Sequence, residues 1–286
     1  FKAYRRSGIV ITVGYLINCF GQVYLYRDFD VASFYTGFLF VNCIYIVYIL
    51  RVILSNLHLK NIDFNKRNEL NDIFIFGLKL QPSAMSWWFL RYSQRWIVMF
   101  YLGLDAVAMV TISSYPFVVF TALSTYMYMA AQRAIFKWHD EGVVDGEEVA
   151  VGQYRIIRSI YLLLALGVFI LVEALSEYIF PDALFNREAA LICLLGGFFM
   201  ATGSYFGNVY MAQLRVGAAS FTSILSAAFS LFITWWALGQ FGVSGFSIGV
   251  LAGGALLFML RLFDSSIRST FFALKLDFVF YVVLIL

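Results

Sequence analysis

Charged side chains are scarce in this chain: only 13% of its 286 residues are Asp, Glu, Lys or Arg, whereas 62% are hydrophobic. Soluble domains average about a quarter charged residues, so an ordinary soluble globular domain is excluded. Residues 106–132, 189–214 and 216–260 carry no charge at all. An uncharged apolar run of about 18 residues or more predicts a membrane-spanning helix. The sequence therefore predicts an all-α polytopic membrane protein.

Cysteine and histidine are also rare in this chain. The three cysteines, Cys19, Cys43 and Cys193, lie within apolar runs without metal-ligand spacing, and the two histidines, His58 and His139, have no ligand or catalytic partner nearby in the sequence. We therefore expect no metal centre, no cofactor and no histidine-based catalysis. The net charge of +3 comes without a clustered basic face, which argues against a nucleic-acid partner.

Proline is limited to three residues, and long apolar spans can be drawn between the polar connections. The predicted spans are residues 8–26, 31–54, 73–100, 106–131, 156–179, 189–213, 217–238 and 244–263, with a further span starting at 276. The glycine-rich segment 239–245 is the predicted turn of the longest uncharged run, because Gly adopts the positive φ that a tight turn needs. The chain begins without Met and ends in a short apolar run, so we expect a piece of a longer protein.

Lys and Arg are distributed unevenly over alternate connections. Fifteen of the 20 fall in connections on one side, Arg261 among them, and only Arg27 and Arg187 fall on the other. The remaining three lie within the span 73–100. Cytoplasmic loops are enriched in Lys and Arg, so the first side is predicted to be cytoplasmic.

Three cations, Lys79, Arg91 and Arg95, lie inside one predicted span. A charge at the bilayer centre costs about 2.5–3.5 kcal/mol, so these side chains must face a cavity, a partner or an interface. At a spacing of four residues Arg91 and Arg95 share one face of a helix and repel each other, which indicates an anion opposite them. We interpret the three cations as a phosphate- or carboxylate-binding patch, with interfacial anchoring as the alternative.

Two prolines and one acidic residue lie inside the predicted spans and are candidates for specific roles. Pro82 and Pro116 are predicted hinges, because proline removes a helical hydrogen bond and can kink the helix. Glu173 is a candidate ion-coupling site or a partner for Arg91, and solvation at the interface is the alternative reading of its position.

One pair of tryptophans and one pair of aspartates can each be interpreted in two ways. Trp87 and Trp88 are typical of the aromatic belt at a membrane interface, and their faces could also stack on sugars. Asp28 and Asp30 form a D-x-D pair after the first span, a pattern that can hold a divalent metal in membrane glycosyltransferases. Capping of the following helix by Asp30 is the simpler interpretation.

Gly, Pro, Ser and Trp residues form a distinctive pattern inside the third predicted span, residues 73–100. The positions that carry the pattern are Gly77, Leu78, Leu80, Pro82, Ser83, Ala84, Ser86, Trp87, Trp88, Leu90, Ser93 and Arg95, with residues 102–107 following. This pattern resembles the oligosaccharide flippases of the MOP transporter superfamily, the Wzx-type polysaccharide transporters, whose motif reads G-L-P-L-I-P-S-A-L-S-W-W. Lys79 and Arg91 stand where the family has Pro and Asn, and Gln94 replaces the Asp of its S-D-R signature. The added positive charge would suit an anionic cargo.

The resemblance implies a MATE-like pair of helix bundles. Residues 1–54 would be the last two helices of the N-terminal bundle, and 55–72 the cytoplasmic linker between bundles. Residues 73–263 would form the C-terminal six-helix bundle, and 264–286 a cytoplasmic loop and the start of an extra helix.

The implied function is transport without chemical conversion, so the protein would not be an enzyme. The resemblance implies a flippase of the bacterial cytoplasmic (inner) membrane that moves undecaprenyl-pyrophosphate-linked oligosaccharides by alternating access, for O-antigen, capsule or exopolysaccharide assembly. Arg91, supported by Arg95 and Lys79, would bind the pyrophosphate, and Na⁺ or H⁺ would be the coupling ion. A polysaccharide polymerase and other assembly proteins would be partners in the lipid bilayer.

Three alternatives remain open at this point. Two are other transporters of the superfamily, a drug/cation antiporter or a lipid II flippase. The third is a membrane glycosyltransferase or polymerase that uses Asp28 and Asp30.

Overall fold

The computed structural model of the chain describes residue 47 and residues 67–140, 146–179 and 185–264. The chain divides into two compact units, Phe1–Leu70 and Asn71–Leu286. The helices described below belong to the second unit, apart from the first turn of α1. Asp28, Asp30 and the span predicted from residue 276 lie outside the described residues.

The described residues form helices and no strand. The elements are α1 (Arg67–Trp88), a π-helical turn (Phe89–Ser93), α2 (Gln94–Leu102), α3 (Leu104–Ser113), α4 (Tyr115–Asp140), α5 (Gly146–Ile179), α6 (Arg187–Ala212), α7 (Val216–Phe241), a 3₁₀ turn (Gly242–Ser244) and α8 (Gly245–Leu262). The prediction of an all-α protein is confirmed for this part of the chain.

Several of these helices are long and apolar enough to cross a membrane. Within the described ranges they are Gly152–Ala174, Arg187–Ala212 and the stretch Val216–Leu262, which contains both α7 and α8. Helices α3 and α4 would add a fourth if the bent pair is counted as one span. The length and composition of these stretches support the prediction of a membrane protein.

Helices α7 and α8 form an antiparallel hairpin around the predicted glycine turn. Gly242 adopts a φ of +55°, a conformation that side chains other than glycine rarely adopt. At Gly245 the backbones approach so closely that an added Cβ would lie 2.4 Å from the carbonyl carbon of Ala237. Glycine is therefore needed both to turn the chain and to let the two helices meet.

Helix α8 packs extensively against both α6 and α7. Helix α6 in turn packs against α4 and α5. Their shared core includes the buried rings of Phe120, Tyr161, Tyr205, Phe206 and Phe258. This arrangement places the middle of α6 and the last turns of α8 deep inside the bundle.

Hydroxyl and amide groups tie α1 and α2 to α7. The Ser220 hydroxyl donates to the carbonyl oxygen of Lys79 at 2.7 Å. Farther along, Gln94 Nε2 donates to Ser230 Oγ at 2.8 Å, and Ser230 Oγ donates to the carbonyl of Gly249 at 2.7 Å. Such hydrogen bonds are the usual polar links between helices in an apolar environment.

The two predicted hinge prolines occupy different helical positions. Pro82 lies in the interior of α1, where its carbonyl accepts a hydrogen bond of 2.7 Å from the Ser86 hydroxyl. Pro116 lies in the first turn of α4, directly after a 47° bend between α3 and α4. The first turn of a helix tolerates proline, because its N–H groups have no partner in the helix. The predicted single span 106–131 is therefore two helices that meet at an angle.

Candidate functional site

A cavity of about 400 Å³, partly open to its surroundings, lies between helices of the second unit. This volume is in the range of small-molecule binding sites in proteins. The residues that line it are Leu80, Ser83, Ala84, Trp87, Arg91, Thr121, Ser124, Thr125, Tyr128, Tyr161, Met200, Ala201, Ser204, Gly207, Met211, Ala219 and Arg261. Two arginines and several hydroxyl groups thus share the cavity, and none of its described lining residues is acidic.

Arg261 supplies one of the two positive charges from the last turn of α8. Its side chain is only 2% exposed, and it is held entirely by uncharged acceptors. Nε donates to Thr222 Oγ1 at 3.1 Å, Nη1 donates to the Gly203 carbonyl at 2.9 Å, and Nη2 donates to Ser223 Oγ at 2.9 Å. A further bond of 3.2 Å joins Nη2 to the Ala219 carbonyl. The guanidinium is therefore fixed in place, while no carboxylate accepts any of these bonds.

Glycine on α6 makes room for this guanidinium. A Cβ added at Gly207 would lie 2.7 Å from Nη1 of Arg261, closer than real Cβ contacts come. At Gly203, one turn earlier, the carbonyl is the acceptor of the same nitrogen. The arginine thus lies in a slot against the backbone of α6.

Arg91 supplies the second positive charge from the π-helical turn. A π turn has hydrogen bonds between residues five apart instead of four, and such turns occur frequently at functional sites. The Arg91 Cζ atom lies 5.6 Å from the centre of the Trp87 ring, within the range of a cation–π interaction. Arg91 Nε is buried without a hydrogen-bond partner in the described part of the chain. An anion in the cavity would supply the missing acceptor.

A hydroxyl pair connects α1 to the Arg261 site. Ser83 Oγ lies 3.3 Å from Ser223 Oγ. The Ser223 proton is donated to the Ala219 carbonyl at 2.9 Å, so Ser83 is the donor of the pair. Ser223 Oγ thus accepts from Ser83 on one side and from Arg261 on the other.

The other two predicted cations lie outside the cavity lining. Arg95 Nη2 donates to Ser114 Oγ at 3.4 Å, and its Cζ atom lies 5.8 Å from the Tyr92 ring. The side chain of Lys79 is exposed. Arg91 and Arg95 thus have different surroundings, since Arg91 lines the cavity whereas Arg95 contacts Ser114 and Tyr92; that they share one helix face stays a prediction.

Glu173 and Trp88 also lie away from the cavity. Glu173 Oε1 pairs with Arg187 Nη2 at 2.8 Å, and both side chains are partly exposed, 38% and 62%. Arg187 is thus one partner of this acid, and Glu173 is not among the described residues that line the cavity with Arg91. Trp88 is 49% exposed on the outer surface of α1, whereas Trp87 lines the cavity beneath Arg91.

Sequence reasoning missed Arg261 as a site residue. The distribution of Lys and Arg predicts that Arg261 lies in a cytoplasmic connection, yet it lies in α8 and is buried. The available signal was its place inside the predicted span 244–263. Lys and Arg near a helix end usually reach the interface, so hydropathy favours the exposed position. The slot on α6 that permits the burial of Arg261 forms only when the helices pack together, so the sequence of α8 alone does not predict it.

The described helices and the cavity define an all-α membrane protein with a pocket lined by two arginines and several hydroxyl-bearing residues. No protein-family model matches the chain, and no curated protein and no solved structure matches it either.

Proposed function

We propose that this protein is a flippase of the Wzx type, which binds an anionic lipid-linked oligosaccharide in the two-arginine cavity and carries it across the bacterial inner membrane. The lipid tail remains in the bilayer while the diphosphate and glycan occupy the cavity. Alternating access between two helix bundles would expose the site to each side in turn. The sequence resemblance around Trp87 supports this transporter class.

The observation that carries the proposal is that two guanidinium groups line the cavity while none of its described lining residues carries a carboxylate. A buried charge costs several kcal/mol unless a partner offsets it. Arg261 is held by neutral acceptors, and Arg91 has a buried N–H group without an acceptor. Arginine is well suited to phosphate because its planar N–H groups match two phosphate oxygens. A diphosphate bound in the cavity would neutralise both cations.

The same observation weighs against a drug/cation antiporter. A cationic substrate would meet two positive charges in the cavity and no negative charge among its described lining residues. Coulomb repulsion in a site of low dielectric constant would then oppose binding.

Complementation of a flippase-deleted, polysaccharide-producing bacterium with the full-length protein tests the proposal. We expect the wild type to restore surface glycan and Arg91→Ala to lose it at equal expression. Arg95→Ala is the matched control, because it removes a cation from the same helical segment outside the cavity. Equal activity of all three proteins would contradict the assignment of the cavity. Loss of activity only with Asp28→Asn and Asp30→Asn together would favour the glycosyltransferase alternative.

A further inference from the structure

Four residues of α4 that carry hydroxyl groups line the cavity along one helix face. Thr121, Ser124, Thr125 and Tyr128 follow the spacing of three, four and seven residues that aligns side chains on one face. Ser204 of α6 lines the same cavity. We call Thr121, Ser124, Thr125 and Ser204 the hydroxyl wall.

The proton of every hydroxyl in this wall is already donated to the backbone of its own helix. Thr121 donates to the Val118 carbonyl at 3.0 Å, while Ser124 and Thr125 donate to the Thr121 carbonyl at 3.0 and 2.7 Å. Ser204 donates in the same way to the carbonyl four residues earlier at 2.7 Å. Bonds of this kind are common for Ser and Thr inside helices.

A hydroxyl group has one proton and two acceptor lone pairs. While its proton is donated to the backbone, a hydroxyl of this wall offers its lone pairs to a ligand. The hydroxyl wall is therefore a set of hydrogen-bond acceptors, which attracts O–H and N–H groups. Phosphate oxygens are acceptors themselves and would be disfavoured against it.

The two arginines offer the opposite chemistry in the same cavity. Arg91 presents guanidinium N–H groups, and its Nε has no acceptor in the described part of the chain. Arg261 uses four of its five N–H groups on the protein and has one left on Nη1. The cavity thus contains both donors for an anion and acceptors for a neutral polar group.

We infer that the hydroxyl wall is a sugar subsite, which accepts hydrogen bonds from the hydroxyl and N-acetyl N–H groups of the glycan while the arginines hold the diphosphate. This inference rests on the proposed function, because it assigns the second part of the same cargo. It also sets the orientation of the cargo in the cavity, with the glycan against α4 and Ser204 and the anion against Arg91 and Arg261.

The experiment compares two lipids that differ only in the sugar. Undecaprenyl diphosphate and undecaprenyl-diphospho-N-acetylglucosamine are titrated into the full-length protein in nanodiscs free of sugar detergents. We expect the wild type to bind the sugar-bearing lipid more tightly. Thr125→Val and Ser204→Ala should each reduce this preference by about twofold to tenfold, the value of one neutral hydrogen bond.

Two control variants remove hydroxyls that do not line the cavity. Thr202 and Ser159 make the same type of bond to carbonyls of their own helices, at 2.9 Å in both cases. Thr202→Val and Ser159→Ala should therefore leave the preference for the sugar-bearing lipid intact. A circular dichroism melt of each variant verifies that it is folded.

The possible results separate the two proposals. Equal affinity of the wild type for both lipids would overturn the sugar subsite and leave the anion site standing. An unchanged preference in Thr125→Val and Ser204→Ala, or a loss shared by the control variants, would overturn the subsite as well. Failure of the wild type to bind either lipid would overturn the proposed function and the subsite together.

Discussion

The slot that holds Arg261 can be tested by a single methyl group. In Gly207→Ala the new Cβ would lie 2.7 Å from Nη1, whereas ordinary contact begins at 3.4 Å. The guanidinium must therefore retreat from α6. Because its 2.9 Å bond to the Gly203 carbonyl points at the same helix, we expect this bond to break.

The magnitude follows from two opposing effects. A hydrogen bond from a charged donor contributes about 1.5–3 kcal/mol to stability. Replacing glycine by alanine inside a helix stabilises the helix by about 1 kcal/mol. Gly207→Ala should therefore lower the free energy of unfolding by about 0.5–2 kcal/mol. It should also weaken the binding of undecaprenyl diphosphate, because the displaced Arg261 no longer occupies its place in the cavity wall.

Gly167→Ala is the matched control for this substitution. Gly167 lies inside α5, and a Cβ added there would meet nothing within 4 Å. This variant should gain about 0.5–1 kcal/mol from reduced backbone freedom. Chemical denaturation of both variants measures the difference, and lipid titration measures binding. If Gly207→Ala gained stability and bound the lipid as tightly as Gly167→Ala, the slot would be refuted.

Three further predictions concern the packing and the predicted coupling site. Gly245→Ala should prevent the tight contact of α7 with α8 and reduce the yield of folded protein, whereas Gly239→Ala, with free space around it, should not; monodispersity in size-exclusion chromatography measures this. Ser230→Ala should lower stability by about 1–3 kcal/mol, because the buried Gln94 amide loses its acceptor; a melt close to that of the wild type would contradict the contact. Glu173→Gln should change stability by about 1 kcal/mol or less, because its ion pair is partly exposed. If Glu173 couples transport to an ion gradient, the same variant should lose the dependence of transport on that gradient.

The parts of the fold that hydropathy and glycine determine could be predicted from the sequence. Long uncharged runs predicted the helices α6, α7 and α8, and the glycines of segment 239–245 predicted the turn between the last two. The fourth predicted span breaks between Ser113 and Tyr115, just before Pro116. These features are local, since each depends on residues within one stretch of chain.

The composition of the cavity could be predicted only in part. Arg91 was identified because it interrupts an apolar span, but Arg261 lies near the end of its helix, where exposed and buried positions look alike in sequence. Its burial depends on Gly207 and Thr222, which belong to two other helices. The π turn that contains Arg91 likewise has no recognisable pattern in the sequence.

Equilibrium binding of undecaprenyl diphosphate to the full-length protein in nanodiscs tests the central claim most directly. The account predicts saturable binding by the wild type and by Arg95→Ala. It predicts a loss of about tenfold or more in Arg91→Ala, which removes a charged donor from the cavity. Equal affinities for all three proteins, or stronger loss in Arg95→Ala than in Arg91→Ala, would contradict the cavity as the anion site.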